Sequence, residues 1–336
     1  MFDLKRLADD VIEASVVLSF TDLGPMIRSS LFGWEDLDRL DLTGRVVAIT
    51  GASSGLGLAA ATRLATMGAG LRLLIRDEGK AARARESILR VAPGADVATY
   101  TLDLSDLAAV RRVADQMTET EDRLDALVNN AGALLPERRV SVDGYEMTLA
   151  TMVLGPFVLT NGLVPLLERT AGDAGVARVV NVASGGMYLQ GLRLDDLQME
   201  REPYRGSMAY ARAKRALVTL TREWSRRLRG RAITVNAMHP GWADTPGVVA
   251  SLPTFHRLIR PRLRTPQEGA DTIVWLVASE EPARATGRFW LDRGPRPVDR
   301  LRSTRVDDAD ARRLWRACER LTRAATEVGP SRAPNS

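Results

Sequence analysis

The chain has 336 residues, which suits one large α/β domain or two smaller ones. Its net charge is +5, yet many of the arginines lie in helical segments beside acids and no nucleic-acid motif is present, so the surplus indicates a solvated face and excludes a nucleic-acid partner. The single cysteine, Cys318, excludes an intrachain disulfide and is typical of the reducing cytoplasm. Two histidines are too few for a metal-ligand cluster, so no metal is expected.

Residues 1–42 precede the first recognisable strand and are predicted to form a helical extension. Its apolar run VIEASVVLSF is about half as long as a membrane span, and the acids Asp9, Asp10 and Glu13 argue against a signal peptide. We expect the extension to pack on the core or over a pocket. A weak peripheral membrane contact through these residues is the alternative, because further apolar side chains follow as far as Trp34.

A glycine-rich turn follows the first predicted strand, Arg45–Thr50, and opens an Ala/Leu-rich helix that Gly68 closes. Such a turn suits a dinucleotide, because glycines let the backbone approach a pyrophosphate and the helix N-terminus offers it free N–H groups. An ordinary turn between a strand and a helix is the alternative. The candidate cofactor-binding residues here are Thr50, Gly51, Ser53, Ser54, Gly55, Leu56 and Gly57.

The residue after the second predicted strand, LRLLI, bears on cofactor choice. It is Arg76, about 20 residues past the glycine turn, where an arginine suits the 2′-phosphate of NADP and an acid suits the ribose of NAD. A guanidinium can bind phosphate through two hydrogen bonds and can stack on adenine. We therefore expect NADP(H). Asp77 leaves NAD possible, and a surface arginine at a helix start is the alternative for Arg76.

Tyr210 and Lys214 are four residues apart and would share one face of a helix. A nearby ammonium favours the phenolate and lowers the tyrosine pKa from its usual value of about 10. Tyr210 could then give a proton to a carbonyl oxygen or take one from an alcohol. A lone pair of this spacing is more often an exposed helix face. Here it follows the glycine turn, an NNAG segment and the strand-terminal Ser184, and that order indicates a catalytic pair.

As a set, these motifs resemble those of the short-chain dehydrogenase/reductase family, over about residues 42–295. TGASSGLG resembles the family's cofactor turn, and Ser184, Tyr210 and Lys214 match its catalytic residues. Within the family, SGGMYLQG and MHPGWADTPGV look most like the group around dehydrogenase/reductase member 12. Further cofactor contacts that the resemblance implies are Asp103, Leu104, Asn130, Ala131, Gly132, Pro240, Gly241 and Thr245. For Asp103, a plain helix N-cap is the alternative.

The resemblance implies a mechanism in which Ser184 polarises a carbonyl, Tyr210 supplies the proton, and Lys214 holds the nicotinamide ribose. Tyr188 would then be a pocket wall. One position departs from the family pattern, because Met152 stands where the family usually has an asparagine that holds a proton-relay water. A thioether accepts hydrogen bonds only weakly. Either Met152 simply packs, or another group completes the relay, or catalysis is slow.

Strands and helices alternate from residue 45 to about 290, which predicts an α/β fold with a doubly wound parallel sheet, a Rossmann-like three-layer αβα sandwich spanning residues 43–296. Residues 297–336 are predicted to add a final helix and a disordered tail. Family members often pair through the helix that carries the Tyr–Lys pair, so a homodimer is one option, although the long ends could block it.

The segments that follow the NNAG motif and the later strands predict a hydrophobic small-molecule substrate. Trp242, Val248, Val249, Leu252, Phe255 and Leu258 lie in one of them, and Leu134 and Leu135 in another. The sequence therefore predicts an NADP(H)-dependent oxidoreductase acting on an apolar carbonyl or alcohol. The alternative is a cofactor-binding scaffold or sensor with little catalysis, which only Met152 favours.

Overall fold

The computed structural model describes residues 4–244, 257 and 259–327. Thr245, His256 and five of the predicted wall residues lie outside this part of the chain, and so does the predicted disordered tail beyond residue 327. The wall residues in question are Val248, Val249, Leu252, Phe255 and Leu258.

One mixed sheet organises the chain, with the strand order β3-β2-β1-β4-β5-β6-β7-β8. Neighbouring strands run parallel from β3 through to β7, and only β8 is antiparallel, to β7. The order reverses between β1 and β4, which is where ligands bind in doubly wound folds. The strands are β1 (Val46–Thr50), β2 (Gly70–Ile75), β3 (Val97–Thr101), β4 (Ala126–Asn129), β5 (Ala177–Val182), β6 (Ile233–Met238), β7 (Phe289–Leu291) and β8 (Gly294–Pro295).

Helices connect the parallel strands and flank the sheet on both faces, as the prediction of a three-layer αβα sandwich requires, and that prediction is confirmed. The helices are α1 (Leu4–Ala14), α2 (Val16–Phe20), α3 (Leu23–Phe32), α4 (Gly55–Thr66), α5 (Glu78–Val91), α6 (Leu107–Thr120), α7 (Met147–Leu149), α8 (Gly155–Ala174), α9 (Gly206–Arg227), α10 (Pro266–Ala278), α11 (Glu280–Ala283) and α12 (Asp308–Glu327).

Two apolar cores lie on opposite faces of the sheet because strand side chains alternate. On β1, Val47 and Ile49 join the core beneath α4, α5 and α10, whereas Ala48 joins the core beneath α6, α8 and α9. Burial on both faces explains why the central strand β1 is almost wholly apolar. The stretch Met147–Ala174 is long and apolar enough to cross a membrane, but 67% of its apolar window is buried inside the protein.

The two ends of the chain pack against this sandwich. Helix α12 covers the outer side of α9, where the Trp315 ring lies 4.8 Å from that of Phe157 and 5.9 Å from that of Trp224. Cys318 on the same helix is buried, and burial raises the pKa of its thiol to about 12, so it is an unreactive packing residue. Helices α1–α3 lie beside the carboxyl ends of β6 and β7.

Candidate active site

The glycine-rich turn at the end of β1 is tightly packed, and two of its glycines have no room for a side chain. Gly51 has a φ of +67°, and a Cβ there would lie 2.8 Å from the Ala131 Cα atom. A Cβ on Gly57 would lie 2.6 Å from the Gly51 carbonyl oxygen. Ser54 occupies the N-cap of α4, yet its side chain makes no capping hydrogen bond. The first N–H groups of α4 are thus not capped by Ser54, which fits a pyrophosphate.

The NNAG segment fixes the shape of this turn. The Thr50 hydroxyl oxygen accepts hydrogen bonds from the backbone N–H groups of Asn130 and Ala131, each at 3.0 Å. The Asn130 side-chain amide donates to the Thr50 carbonyl at 2.9 Å. These bonds join the ends of β1 and β4 across the point where the strand order reverses. Thr50 and Asn130 therefore hold the glycine-rich turn, residues 51–57, in the shape of a cradle.

Arg76 and Asp103, predicted separately as cofactor contacts, are brought together at the ends of β2 and β3. The Arg76 guanidinium is 73% exposed and lies 3.6 Å from the Asp103 carboxylate. The N-cap alternative for Asp103 is wrong, because the N-cap of α6 is Asp106, which accepts from the Ala109 N–H. Asp103 accepts instead from the backbone and hydroxyl of Ser105.

Asp77, which in the sequence left NAD possible as the cofactor, has a structural role. It is the N-cap of α5, and its carboxylate accepts a hydrogen bond of 2.7 Å from the Lys80 N–H. A carboxylate engaged in this way stabilises the helix start. The neighbouring Arg76, at the end of β2, is exposed and pairs only with the Asp103 carboxylate among the ion pairs of the described residues.

The three predicted catalytic residues meet at the carboxyl edge of the sheet. Ser184 follows β5, and Tyr210 and Lys214 lie on α9. The Lys214 Nζ atom donates a 2.7 Å hydrogen bond to the Val182 carbonyl at the end of β5 and lies 5.6 Å from the centre of the Tyr210 ring. The Ser184 hydroxyl accepts from the Gly186 N–H at 3.3 Å and hydrogen-bonds to Tyr210.

The pKa values at this site differ from the sequence-based expectation. Burial raises the pKa of Tyr210, and the hydrogen bond from Ser184 opposes the rise without cancelling it. The predicted lowering by Lys214 is therefore not what the structure gives, because desolvation of the phenol dominates. Burial also lowers the pKa of Lys214 to about 8. Tyr210 is thus held in the protonated form that can donate to an oxygen.

Met152 lies next to Lys214, the predicted catalytic lysine. It is fully buried in Ala150–Leu154, a single π-helical turn that begins the run into α8. A Cβ built on Gly132 would lie 3.1 Å from the Met152 sulfur and 3.4 Å from the Lys214 Nζ atom, so both surround the same glycine. π-turns occur frequently at functional sites. The thioether packs here, in line with the simpler of the interpretations of Met152.

The Pro240–Gly241 turn closes the site from the end of β6. Gly241 has a φ of +74°, and its N–H donates a 3.2 Å hydrogen bond to the Nδ1 atom of His239. His239 is fully buried, and burial, followed by the nearby arginines, keeps its pKa well below its ordinary value. A neutral imidazole that accepts a backbone N–H shapes the turn. Thr245 lies outside the described residues.

Tyr188, expected to form a wall, is buried and donates a 3.0 Å hydrogen bond to the Pro297 carbonyl. Burial raises its pKa to about 12, so it is not a second acid. The Arg300 guanidinium lies 4.3 Å from the centre of its ring.

A buried ionic cluster joins the N-terminal extension to the catalytic edge, and the sequence did not predict it. Asp292, between β7 and β8, binds Arg28 at 2.7 Å and Arg264 at 2.6 Å, and all three side chains are at most 2% exposed. In the sequence, the acids Asp9 and Glu13 indicated only that the N-terminus is not a signal peptide. Their spacing of four residues was the available signal, since it places both on one helix face. The cluster comprises Asp9, Glu13, Arg28, Arg264, Asp292, Arg296 and Arg300.

Comparison with known proteins gives a consistent result. The family model for short chain dehydrogenases matches residues 45–254. The chain is 40% identical over 258 residues to the human dehydrogenase/reductase SDR family member 12, covering 76% of this chain and 79% of that protein. It is 35% identical over 294 residues to human retinol dehydrogenase 14, covering 81% and 84%. The solved Pseudomonas aeruginosa RhlG/NADP active-site complex has a TM-score of 0.61 at 28% identity, covering 74% and 94%.

The doubly wound sheet, the glycine cradle at its switch point and the Ser–Tyr–Lys set at the same edge define an NAD(P)-binding oxidoreductase that acts on alcohol or carbonyl groups. The match covers more than half of the residues and includes every motif named above. The chain belongs to the short-chain dehydrogenase/reductase family.

Proposed function

We propose that the protein transfers a hydride between NADP(H) and a hydrophobic carbonyl or alcohol, with Ser184, Tyr210 and Lys214 as the catalytic residues. The observation that carries this proposal is the meeting of these three side chains beside the Gly51–Gly57 cradle, with the Lys214 Nζ atom 5.6 Å from the centre of the Tyr210 ring and 2.7 Å from the Val182 carbonyl oxygen, two residues before Ser184. The nicotinamide cofactor supplies the hydride chemistry when bound.

In the proposed reaction, each residue has a distinct task. The hydroxyl groups of Ser184 and Tyr210 would both donate to the substrate oxygen, which polarises the carbonyl, and Tyr210 would deliver the proton. Its raised pKa suits this direction, since the phenol stays protonated near neutral pH. Lys214 would hold the ribose and place its positive charge where the phenolate forms.

NADP(H) is the preferred cofactor in this proposal. Arg76 is exposed at the end of β2, while Asp77 is engaged as a helix cap. A guanidinium at this point can bind the 2′-phosphate bidentately. The solved relative with NADP in its active site lends support. The Asp103 carboxylate lies 3.6 Å from the Arg76 guanidinium, and at this exposure the pair adds little to stability.

The Arg76→Asp variant tests the cofactor preference. We expect the dissociation constant for NADPH to rise by about 10-fold or more, since a phosphate contact of roughly 1.4 kcal/mol or more is lost and a carboxylate repels the 2′-phosphate. The constant for NADH should fall or stay constant. Fluorescence titration with each cofactor measures both. Arg90→Asp, an exposed arginine at the far end of α5, is the control. An unchanged preference in Arg76→Asp would remove this residue from the phosphate site.

The substrate proposal is a hydrophobic carbonyl or alcohol, with lipid, sterol, retinoid-like and polyketide compounds as the candidates. Leu134, Leu135 and Trp242 supply apolar surface after β4 and β6. A relative named retinol dehydrogenase makes all-trans-retinal a reasonable first carbonyl. The direct test is NADPH titration followed by a screen of apolar aldehydes and ketones for NADPH oxidation. Absence of binding by either cofactor would sink the proposal, and binding without turnover would favour the scaffold or sensor alternative.

Helices α1–α3 support a second proposal, a weak peripheral membrane contact beside an otherwise cytoplasmic location. Helix α1 turns Asp9, Ile12 and Glu13 inward, while the side chains of Leu7 and Val11 are 57% and 62% exposed on the opposite side. Exposed apolar side chains along one side of a surface helix are typical of a membrane contact. The others in this extension are Leu4, Val16, Val17, Met26 and Phe32.

Vesicle sedimentation tests the membrane proposal. We expect the full chain to pellet with phosphatidylserine-containing vesicles and the Leu7→Asp/Val11→Asp variant to remain in the supernatant, because two charges on the contact face oppose burial in lipid. Val142→Asp removes an exposed valine far from the extension in sequence and is the matched control. Equal sedimentation of all three chains would end this proposal.

Pairing into a homodimer through α9 is constrained by the C-terminal helix. Helix α12 covers the outer side of α9, with Trp315 packed against Phe157 and Trp224. We infer that any homodimer uses another surface of the protein.

A further inference from the structure

Phe20, at the end of α2, contacts the two loops that carry the far side of the active site. It lies outside the region that the family model matches, which begins at residue 45. Its side chain is 4% exposed, and a Cβ on Gly185 would lie 2.5 Å from its ring. The ring also packs edge-on against His239, with ring centres 4.5 Å apart, and against Trp242, at 5.7 Å.

Backbone contacts fix the same segment to the Pro240–Gly241 turn. The Trp242 N–H donates a 2.7 Å hydrogen bond to the Phe20 carbonyl. Buried Arg264 donates to the carbonyls of Ser19 and Thr21 and also to that of Pro240, at 2.7, 3.0 and 3.1 Å. The end of α2 is thus bonded to the turn that follows β6.

The position of the Ser184 hydroxyl depends on this packing. Ser184 accepts a hydrogen bond from the Gly186 N–H, so its rotamer follows the backbone of residues 185 and 186. Gly185 has no side chain, and the Phe20 ring rests directly against its backbone. A movement of the ring therefore moves the bend that orients the serine. Misplacement of a reacting group by about 1 Å can cost roughly 100-fold in rate.

We propose that Phe20 is a positioning residue of the active site. Its ring sets the distance between the bend at Ser184–Gly186 and the turn at Pro240–Trp242. The N-terminal extension thus helps to position the loops of the active site. The catalytic part of this inference rests on the proposed function, while the structural part does not. The residue touches neither of the side chains Tyr210 and Lys214 in any contact that the described structure records, and it acts through the loops alone.

The test compares Phe20→Ala with Phe32→Ala in the full chain. Phe32 lies in the same extension, but its side chain is 41% exposed. We expect hydrogen exchange in residues 185–187 and at the backbone N–H groups of Gly241 and Trp242 to accelerate at least about 10-fold in Phe20→Ala and to stay at the parent rate in Phe32→Ala. Exchange in β1 measures global destabilisation, and the two loops of Phe20→Ala should accelerate by a larger factor than β1, which separates local loosening from the global effect. Phe20→Leu, which keeps much of the bulk, should restore most of the protection.

Turnover supplies the second readout, with NADPH and all-trans-retinal as the probes. We expect kcat to fall by about 10- to 100-fold in Phe20→Ala, with KM changing less than kcat and with partial recovery in Phe20→Leu. Parent-like exchange in the two loops of Phe20→Ala would overturn the proposal, and so would parent-like kcat despite faster exchange. A parent chain without turnover would count against the proposed function alone, because the exchange result decides the positioning by itself.

Discussion

Replacing Tyr210 with phenylalanine is expected to reduce turnover by about 100- to 10,000-fold, the usual contribution of a positioned general acid. The substitution removes one oxygen from a residue that hydrogen-bonds to Ser184 and leaves the ring beside Lys214. The glycine cradle at residues 51–57 is untouched, so the dissociation constant for NADPH should stay within about 3-fold of the parent value. Turnover is measured by stopped-flow as the rate of NADPH oxidation with a carbonyl substrate. The dissociation constant is measured by fluorescence titration with NADPH.

Tyr188→Phe is the matched control for this prediction. Tyr188 also lies near Ser184 in sequence, but its hydroxyl is committed to the Pro297 carbonyl and its pKa is raised to about 12. Its loss should lower stability modestly and leave most of the activity. If Tyr210→Phe kept its turnover while Tyr188→Phe lost it, the acid would be misassigned.

Replacing Asp292 with asparagine is expected to lower the free energy of unfolding by about 3 kcal/mol, since two buried guanidinium groups would lose the carboxylate between them. Asp292 lies 2.7 Å from Arg28 and 2.6 Å from Arg264, and the three side chains are at most 2% exposed. Its φ is +52°, a region that asparagine tolerates, so the backbone adds little strain. Denaturant titration followed by tryptophan fluorescence measures the change.

Asp36→Asn is the control, because it removes a carboxylate from an exposed ion pair. The side chains of Asp36 and Arg39 are 55% and 84% exposed, and such a pair contributes less than about 1 kcal/mol. Equal losses in the two variants would show that burial adds nothing at Asp292 and would contradict the account of the ionic cluster.

The sequence predicted the fold and the motifs because both depend on local patterns. The strand Val46–Thr50, the glycine turn and the helix α4 follow one another within about twenty residues, and each has a signal in its own residues. The Tyr210–Lys214 pair is likewise set by helix geometry. A pattern of this kind predicts which edge of the sheet holds the site without knowledge of any distant contact.

What the sequence missed depends on contacts between residues far apart in the chain. Nothing near Asp9 or Arg28 shows that their partners lie more than 250 positions later. The prediction that Lys214 lowers the pKa of Tyr210 was also wrong. Burial of the phenol raises that pKa, and the degree of burial is a property of the packed molecule. The interpretation of Asp103 as a helix N-cap was wrong because it depended on a helix boundary, which sequence patterns locate poorly.

The same long-range ionic contacts can form only after both of their partners have been synthesised, which sets the order of these folding steps. The Arg28–Asp292 bond spans 264 positions and the Arg296–Asp9 bond spans 287. At roughly 5–20 residues per second, the extension waits on the order of ten to fifty seconds on the ribosome before its partners exist. The ionic cluster is therefore completed only after the residues of the catalytic site have been made. A nascent chain halted before Asp292 would already carry Ser184, Tyr210 and Lys214, yet would lack the carboxylate that joins Arg28 to Arg264.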